Sequence, residues 1–291
     1  MKITDGGMET TLIFHEGLDL PDFASFVLLE NEAGREALRA YYRRYIEIAR
    51  FRGVEIILDT PTWRANRDWG ERLGYSPEAL ADVNRRAVEL LEELRSREVV
   101  VSGCVGPRGD GYEVGAAMSA GEAESYHAPQ VETFAGTSAD LVSALTLTYA
   151  DEAIGIVRAA SAAEVPVVIS FTVETDGRLP SGQALGDAIE QVDTETGAAA
   201  AYFMVNCAHP THFAEALEGE WLERLRGVRA NASKKSHAEL DEAEELDQGD
   251  PVELAERYRE LRERLPRLSV VGGCCGTDHR HIDAICVAVI P

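Results

Sequence analysis

Positive charge is scarce in this 291-residue chain, which has 28 lysine and arginine residues against 51 aspartate and glutamate residues. The resulting formal charge of −23 disfavours nucleic-acid binding, because that requires a basic surface to displace counterions from phosphates. It disfavours an anionic membrane surface for the same reason. We therefore expect small-molecule partners, with no nucleic acid and no membrane among them. The sequence carries no signal for an oligomeric state.

Long apolar segments are also missing from the chain. The longest apolar run, residues 198–205, is far shorter than the ~20 residues of a membrane-spanning helix. The first ten residues lack the hydrophobic segment of a secretory signal peptide. We therefore expect a cytoplasmic protein. The hydrophobic content of 45% is nevertheless that of a folded globular chain.

Cysteine is rare and occurs in an odd number, which argues against a disulfide framework in a chain without a signal peptide. The five cysteines are Cys104, Cys207, Cys274, Cys275 and Cys286. In a reducing compartment, functional cysteines tend to bind metal or to carry out chemistry. Their positions in the predicted fold are therefore informative.

Strand-like and helix-like patterns alternate along the chain. Short segments rich in β-branched residues predict strands, and longer segments with apolar residues at helical spacing predict helices between them. The predicted strands are residues 2–4, 54–59, 99–103, 140–146, 166–171, 201–205, 227–231 and 268–271. Alternation of this kind predicts parallel strands joined by helices, and eight such units predict a single (β/α)8 TIM barrel over residues 1–291.

The alternative fold is an open, doubly wound sheet. That fold usually carries a nucleotide-binding fingerprint, and neither G-x-G-x-x-G after a strand nor G-x-x-x-x-G-K-[ST] occurs in the sequence. The sequence also shows no domain linker. The acid-rich segment 239–250 is expected to be a solvated loop or helix face, and a role over the active site is the alternative.

In a TIM barrel, the catalytic residues lie at the C-terminal ends of the strands. Three of the five cysteines follow predicted strands there: Cys207 after the sixth, and Cys274 and Cys275 after the eighth. Zinc prefers tetrahedral sulfur and nitrogen ligands, and a catalytic zinc keeps one position open. The three cysteines therefore predict a zinc site that is open to substrate. The alternative is that they are buried and inert.

Three thiolates make a zinc centre anionic and a poor Lewis acid, so activation of water is not its natural use. A substrate thiol can instead take the open position. A coordinated thiol is deprotonated, and the thiolate is the nucleophilic form of sulfur. The predicted chemistry is therefore alkylation of a thiol at neutral pH.

The motif GGCCGT at residues 272–277 occurs together with Asn206-Cys207 and with Asp5-Gly6-Gly7. These segments resemble the homocysteine S-methyltransferase family, and the resemblance extends from the first predicted strand to the last. It implies a TIM barrel with one catalytic zinc. It also implies an S-methyltransferase that moves a methyl group from a small donor to the thiol of homocysteine, giving methionine.

The resemblance implies specific site residues. Cys207, Cys274 and Cys275 correspond to the family's zinc ligands. The residues expected at the substrate are Asp5, Gly6, Asn206 and Thr146. Among these, an aspartate paired with the ammonium group of an amino acid is a sound charge-assisted contact. Asn206 is also a candidate for a hydrogen bond beside the metal.

One position departs from the family pattern. The family has a glutamate at the end of strand four, followed by threonine or tyrosine, which helps to bind the substrate amino group. Counting back from Glu152-Ala153, that position is Leu145, followed by Thr146. Either Asp5 and other residues hold the amino group, or the acceptor is a different thiol or selenol. Glu174, after the fifth strand, is a candidate replacement, although its loop composition favours a plain exposed position.

Two further interpretations concern the donor and the partners. Asp59, Thr60 and Trp63 follow the second strand, and an aromatic face there would suit a cationic donor such as a sulfonium or quaternary ammonium. His209 and His212 follow Cys207, but the helix predicted from Pro210 is expected to direct them away from the metal. A further hypothesis is a non-catalytic zinc- or thiol-binding protein that partners a methyl-carrying protein.

Overall fold

Eight parallel strands close into a barrel in sequence order in the computed structural model, which describes residues 1–243 and 245–290. The strands are β1 (Lys2–Thr4), β2 (Glu55–Asp59), β3 (Val99–Val105), β4 (Leu141–Leu147), β5 (Val167–Phe171), β6 (Tyr202–Asn206), β7 (Leu225–Ala230) and β8 (Val270–Gly273). Strand β1 pairs in parallel with both β2 and β8, which closes the barrel. The predicted TIM barrel is therefore confirmed, and the open sheet is excluded.

Helices connect consecutive strands and surround the barrel. They are α1 (Met8–Thr10), α2 (Glu32–Arg52), α3 (Arg67–Arg72), α4 (Pro77–Glu92), α5 (Ala120–Ala135), α6 (Ala150–Ala162), α7 (Leu185–Thr196), α8 (Pro210–Phe213), α9 (His237–Asp241), α10 (Pro251–Arg264) and α11 (His279–Val289). Short 3-10 turns occur at Pro21–Phe23, Ser25–Glu30, Ala214–Ala216 and Glu220–Glu223, and a π turn at Thr11–His15. Across the described residues, every helix is too short or too polar to cross a bilayer.

Helix α5, between β3 and β4, is the main element that the apolar spacing does not predict. Its buried face includes the polar residues His127 and Gln130 beside Val131 and Phe134, so the apolar stripe is interrupted. These polar groups have hydrogen-bond partners in the folded protein. For example, His127 Nε2 lies 2.9 Å from Glu152 Oε1, across the interface between α5 and α6. The helix is stabilised by tertiary contacts that the local pattern does not reveal.

Helix α2 connects the outer layer to the top of the barrel. Its buried face includes Leu38, Tyr41, Tyr42, Tyr45 and Ala49, which recur at helical spacing. Asn31 caps the N-terminus by accepting from the Gly34 amide, and Gly53, with φ +66°, ends the helix. The hydroxyl groups of two of the tyrosines lie next to the C-terminal ends of β1 and β2.

Apolar side chains fill the interior of the barrel. One buried cluster lies inside it and consists of Ile57, Cys104, Leu145, Val168, Met204 and Val270. A larger cluster fills the space between the strands and the helices. The inner cluster closes the barrel below the strand ends, so any ligand site must lie above it.

Candidate metal centre and active site

A cavity of about 550 Å³ opens at the C-terminal ends of the strands. Its lining contains all the site residues that the sequence predicts: Asp5, Gly6, Thr146, Asn206, Cys207, Cys274 and Cys275. Residues 1 to 7 and 272 to 277 meet there because β1 and β8 are neighbours in the closed barrel. Barrel closure thus brings the N-terminal Asp5-Gly6-Gly7 segment next to the C-terminal GGCCGT segment.

The three predicted metal ligands form a compact triangle of sulfur atoms. Cys207 Sγ lies 2.9 Å from Cys274 Sγ and 3.7 Å from Cys275 Sγ. All three atoms lie within 4.8 Å of one another, and no other group of His, Cys, Asp or Glu in the described ranges forms such a cluster. This clustering is what a shared metal site requires, and the alternative of buried, inert cysteines does not call for it.

Unusual backbone conformations direct the sulfurs to one point. Cys207 itself has φ +57°, so the chain turns sharply where β6 ends. Gly276, with φ +78°, makes the corresponding turn after Cys274 and Cys275, and this conformation favours glycine. The side chains of two adjacent residues normally point to opposite faces of a strand. The turn after β8 removes that restriction.

The sulfur triangle fits one soft, tetrahedral cation. Zinc–sulfur bonds of about 2.3 Å at tetrahedral angles place the sulfurs about 3.7 Å apart. The Cys207–Cys275 separation of 3.7 Å matches this distance, and the Cys207–Cys274 separation of 2.9 Å is shorter. Hydrogen bonds from the thiols of Cys207 and Cys275 lower the pKa of Cys274, so the cluster already favours one thiolate. A metal cation adds to this effect, because it binds thiolates and releases their protons.

The histidines that follow Cys207 do not join the cluster. Nδ1 of His209 lies 2.8 Å from Thr211 Oγ1, and Nε2 of His212 lies 2.9 Å from the carbonyl oxygen of Lys234. His209 caps helix α8, which begins at Pro210. The prediction that this helix directs both histidines away from the metal is confirmed.

Asn206 connects the sulfur cluster to the end of β4. Its Nδ2 lies 3.9 Å from Cys274 Sγ and donates to Thr146 Oγ1 at 2.8 Å. Its Oδ1 accepts from the Thr146 amide at 2.8 Å and from Ser170 Oγ at 2.6 Å. Thr146 has φ +63°, at an irregularity in β4, and these bonds hold it there. Asn206 and Thr146 line the cavity, but their polar groups are engaged with each other.

Asp5 is engaged within the protein as well. Its Oδ1 accepts from Arg229 Nη2 at 2.5 Å, and its Oδ2 accepts from the Tyr41 hydroxyl at 3.1 Å. Arg229 also donates from Nη1 to Asp59, so one guanidinium bridges two carboxylates. Burial raises the pKa of Asp5 to about 7. The expectation that Asp5 binds the substrate amino group therefore meets a competing partner, Arg229.

Sequence reasoning missed Arg229. It lies inside β7, and its side chain is only 7% exposed. A charged residue within a predicted barrel strand is the signal that points to it, because long charged side chains are rarely buried without partners.

A family model described as homocysteine S-methyltransferase matches residues 2–289. The chain belongs to the homocysteine S-methyltransferase family. This confirms the assignment made from the GGCCGT motif, and it identifies the protein as an S-methyltransferase. No curated protein matches the chain.

Solved structures with the same fold include the homocysteine methyltransferase MmuM from Escherichia coli. Its metallated form has a TM-score of 0.75 at 21% identity, over 98% of this chain and 95% of that chain. Its oxidized form has a TM-score of 0.76 at 21% identity, over 99% and 95% of the two chains. Its apo form has a TM-score of 0.70 with the same identity and coverage as the oxidized form. At this identity the likeness concerns the fold.

The departure of this methyltransferase at strand four is visible in the cavity. Leu145 packs in the apolar cluster inside the barrel and lines the cavity without charge. Glu174 is not a replacement, since it lies outside the cavity lining and its carboxylate contacts His237 Nδ1 at 3.3 Å. A different carboxylate, Glu9 in α1, does line the cavity. The sequence motifs gave no reason to select it.

The expected aromatic donor pocket is partly filled. The guanidinium of Arg64 lies between the rings of Trp63 and Trp69, 4.1 and 3.9 Å from their centroids. Trp63 Nε1 also donates to the carbonyl oxygen of Leu145 at 3.3 Å. One face of Trp63 is therefore already covered by a cation. Asp59 is paired with Arg229. Trp63 and Asp59 therefore both have partners within the protein, so neither is fully available to a cationic donor.

Tyr112 lies beside the sulfur cluster. Its hydroxyl is 3.7 Å from Cys207 Sγ and 3.8 Å from Cys275 Sγ. Its ring stacks on His237 with a centroid distance of 4.0 Å. Tyr112 belongs to the long segment between β3 and α5, and no motif marks it in the sequence.

The acid-rich segment 239–250 contributes to the cavity. Its lining residues are Leu240, Asp241, Ala243, Glu245, Leu246 and Asp247, whereas residue 244 lies outside the described residues. Asp247 accepts from Ser233 Oγ at 2.7 Å, which connects the segment to the loop after β7. The described residues of the segment are exposed or half-buried, as expected of a solvated segment, and six of them also line the cavity. The alternative, a position over the active site, agrees with the structure.

Proposed function

We propose that this protein transfers a methyl group from a small donor to the thiol of homocysteine, giving methionine, with zinc held by Cys207, Cys274 and Cys275. The observation that carries the proposal is the sulfur triangle, whose atoms lie within 4.8 Å of one another in a cavity at the strand ends. Three sulfur donors suit zinc among the common metals, and their arrangement leaves a position for a substrate sulfur.

When bound, zinc would supply the positive charge that keeps a substrate thiol deprotonated at neutral pH. The residues of the chain would supply position and environment. Asn206 orients the sulfur of Cys274 through its amide group, and Ser170 and Thr146 hold that amide in place. The buried cavity floor excludes bulk water from the sulfur. The thiolate and donor methyl group would thus be held close together and in line.

The reaction balances without an oxidant. With zinc held by Cys207, Cys274 and Cys275, the substrate thiol would give up its proton to the solvent. A bond then forms between this sulfur and the donor methyl carbon, and the bond from that carbon to the donor heteroatom breaks. A sulfonium or quaternary ammonium donor leaves as a neutral thioether or amine. Asp241, which lines the cavity and forms no ion pair among the described residues, favours such a cation. All five cysteines are free thiols, which suits a cytoplasmic location.

A second candidate is the same chemistry on a different thiol or selenol. Two observations favour it: Leu145 provides no charge for an amino group, and Asp5 is paired with Arg229. The hypothesis of a non-catalytic binding protein has no comparable support, since the chain belongs to a family of methyltransferases.

The test is calorimetric titration of L-homocysteine into zinc-loaded protein in two buffers with different ionisation enthalpies. Binding with about one proton released per site supports coordination of the homocysteine thiolate. Cys274→Ala protein serves as the control and should bind no zinc. If zinc-loaded wild-type protein does not bind homocysteine, the homocysteine proposal fails and the second candidate is favoured.

A further inference from the structure

We infer that Glu9 binds the α-ammonium group of the amino-acid acceptor, a role for which the strand-four position offers only Leu145. This inference rests on the proposed function, because it assumes an acceptor that carries both a thiol and an ammonium group. It assigns substrate recognition to a residue of α1 that no motif marks.

The carboxylates at the C-terminal ends of β1 and β2 are not available for this role. Asp5 and Asp59 both pair with Arg229, and the three side chains are at most 7% exposed. The second oxygen of Asp5 accepts from Tyr41. An incoming ammonium group would have to replace a guanidinium that is already in place. Such a replacement leaves a buried cation without its partner, which is costly.

The carboxylate of Glu9, in contrast, faces the cavity without an ion-pair partner among the described residues. Its Oε1 accepts from Ser25 Oγ at 2.7 Å, which fixes the direction of the side chain. In the part of the chain that the structure describes, Glu9 forms no ion pair with a lysine, arginine or histidine. The residue is only partly buried and lines the cavity, so its second oxygen is accessible to a ligand. A partly desolvated carboxylate that has no direct ion-pair partner among the described residues favours a positively charged ligand group.

Helix α1 is held against the metal-binding loop. A Cβ on Gly7 would lie 2.5 Å from the carbonyl oxygen of Cys274, so these two backbone segments are in close contact. The amide of Gly276 donates to Thr10 Oγ1 at 3.2 Å, which adds a second connection. Glu9 lies between Gly7 and Thr10 and is therefore held beside the sulfur cluster.

The size of the acceptor matches this placement. Four covalent bonds separate the sulfur of homocysteine from its ammonium nitrogen, so the two atoms are at most about 5 Å apart. Glu9 and the three cysteines line the same cavity, and α1 packs directly on the loop that carries Cys274. A ligand with its sulfur on the metal would thus bring its ammonium group near Glu9.

The experiment compares two thiols that differ only in the amino group, L-homocysteine and 4-sulfanylbutanoate. Their affinities for zinc-loaded wild-type, Glu9→Gln and Glu190→Gln proteins are measured by calorimetry. Glu190 is an exposed residue of α7, so its substitution is the matched control. We expect Glu9→Gln to weaken homocysteine binding by about 10- to 100-fold, since a charged hydrogen bond is lost. Binding of 4-sulfanylbutanoate should be unchanged.

Methionine provides a readout that is independent of zinc. Its ammonium group is present but its sulfur is methylated, so its binding to metal-free protein reports on amino-acid recognition. Glu9→Gln should weaken methionine binding, whereas 4-(methylsulfanyl)butanoate should bind both proteins equally. Thermal unfolding of each variant shows whether the fold is retained.

The outcomes separate the inference from the proposed function. If wild-type protein binds homocysteine with proton release and Glu9→Gln binds it equally well, the function stands and the role of Glu9 is wrong. If Asp5→Asn, and not Glu9→Gln, removes the preference for the amino group, Asp5 is the recognition residue. If zinc-loaded wild-type protein binds neither thiol, the proposed function fails, and the inference fails with it.

Discussion

The guanidinium of Arg229 donates to Asp5 at 2.5 Å and connects β7 to β1 across the top of the barrel. These residues are 224 positions apart in the sequence, and both side chains are almost fully buried. Asp59 from β2 accepts from the same guanidinium. The Asp5 carboxylate therefore already has a cation, which competes with the expected contact to a substrate amino group.

The first prediction concerns this ion pair. Replacement of Arg229 by glutamine leaves Asp5 and Asp59 buried beside each other without a cation. We expect the free energy of unfolding at neutral pH to fall by about 3–5 kcal/mol. Urea unfolding measures the change. Arg226→Gln on the same strand is the control, since Arg226 is exposed and should change stability by less than about 0.5 kcal/mol. Equal effects of the two substitutions would contradict this interpretation.

The second prediction concerns the metal ligands. Cys207→Ala, Cys274→Ala and Cys275→Ala proteins should each lose tight zinc binding, because two thiolates make a much weaker site than three. Metal analysis after gel filtration measures the stoichiometry. Cys104→Ala is the control: Cys104 is buried in the barrel and lies outside the sulfur cluster. It should retain one zinc per chain, and loss of zinc from this variant would show that the assigned ligand set is wrong.

The third prediction concerns the amide beside the metal. Asn206→Ala removes the hydrogen bonds to Thr146 and the contact with Cys274. We expect zinc affinity or catalytic efficiency to fall by about 10- to 100-fold, as is usual when a group that orients a ligand is lost. Competition with a chelator measures the affinity.

Asn31→Ala is the matched control for this variant. Asn31 caps α2, so its loss should lower stability by about 1 kcal/mol and leave zinc affinity unchanged. A parallel fall in zinc affinity in both variants would mean that general destabilisation, not the Asn206 amide, is responsible.

The fourth prediction is a pH dependence that arises from His209. Burial lowers the pKa of His209 to about 4, whereas an unfolded histidine has a pKa of about 6.5. The unfolded state therefore takes up the proton first as the pH falls, and the folded state loses relative stability below pH 6.5. Between pH 7.5 and pH 5 this amounts to about 2 kcal/mol.

The His209→Asn variant keeps a residue that can cap helix α8 but removes the titrating group. We expect this variant to lose about 2 kcal/mol less stability than wild-type protein between pH 7.5 and pH 5. Urea unfolding at both pH values measures the difference. His15→Asn, at an exposed position, should behave like the wild type. The same acid sensitivity in His209→Asn and wild-type protein would show that another group is responsible.

The local pattern of the sequence was sufficient for the architecture. Each strand has a short apolar run, most helices have an apolar face, and the caps and glycines that end them are local features. The sulfur cluster was predictable for a related reason, since Cys207, Cys274 and Cys275 follow strands that end at the same rim of a TIM barrel. Helix α5 was missed because polar groups such as His127 occupy its buried face.

The details of substrate recognition were decided by contacts between distant segments. Arg229 meets Asp5, Arg64 covers Trp63, and Tyr112 reaches the sulfurs only because the closed barrel brings their loops together. The sequence by itself determined the fold, the family and the sulfur cluster, because periodicity and strand ends are local properties. The tertiary structure alone decided which carboxylates are paired and which is accessible, because the partners of a buried charge are set by packing across the barrel.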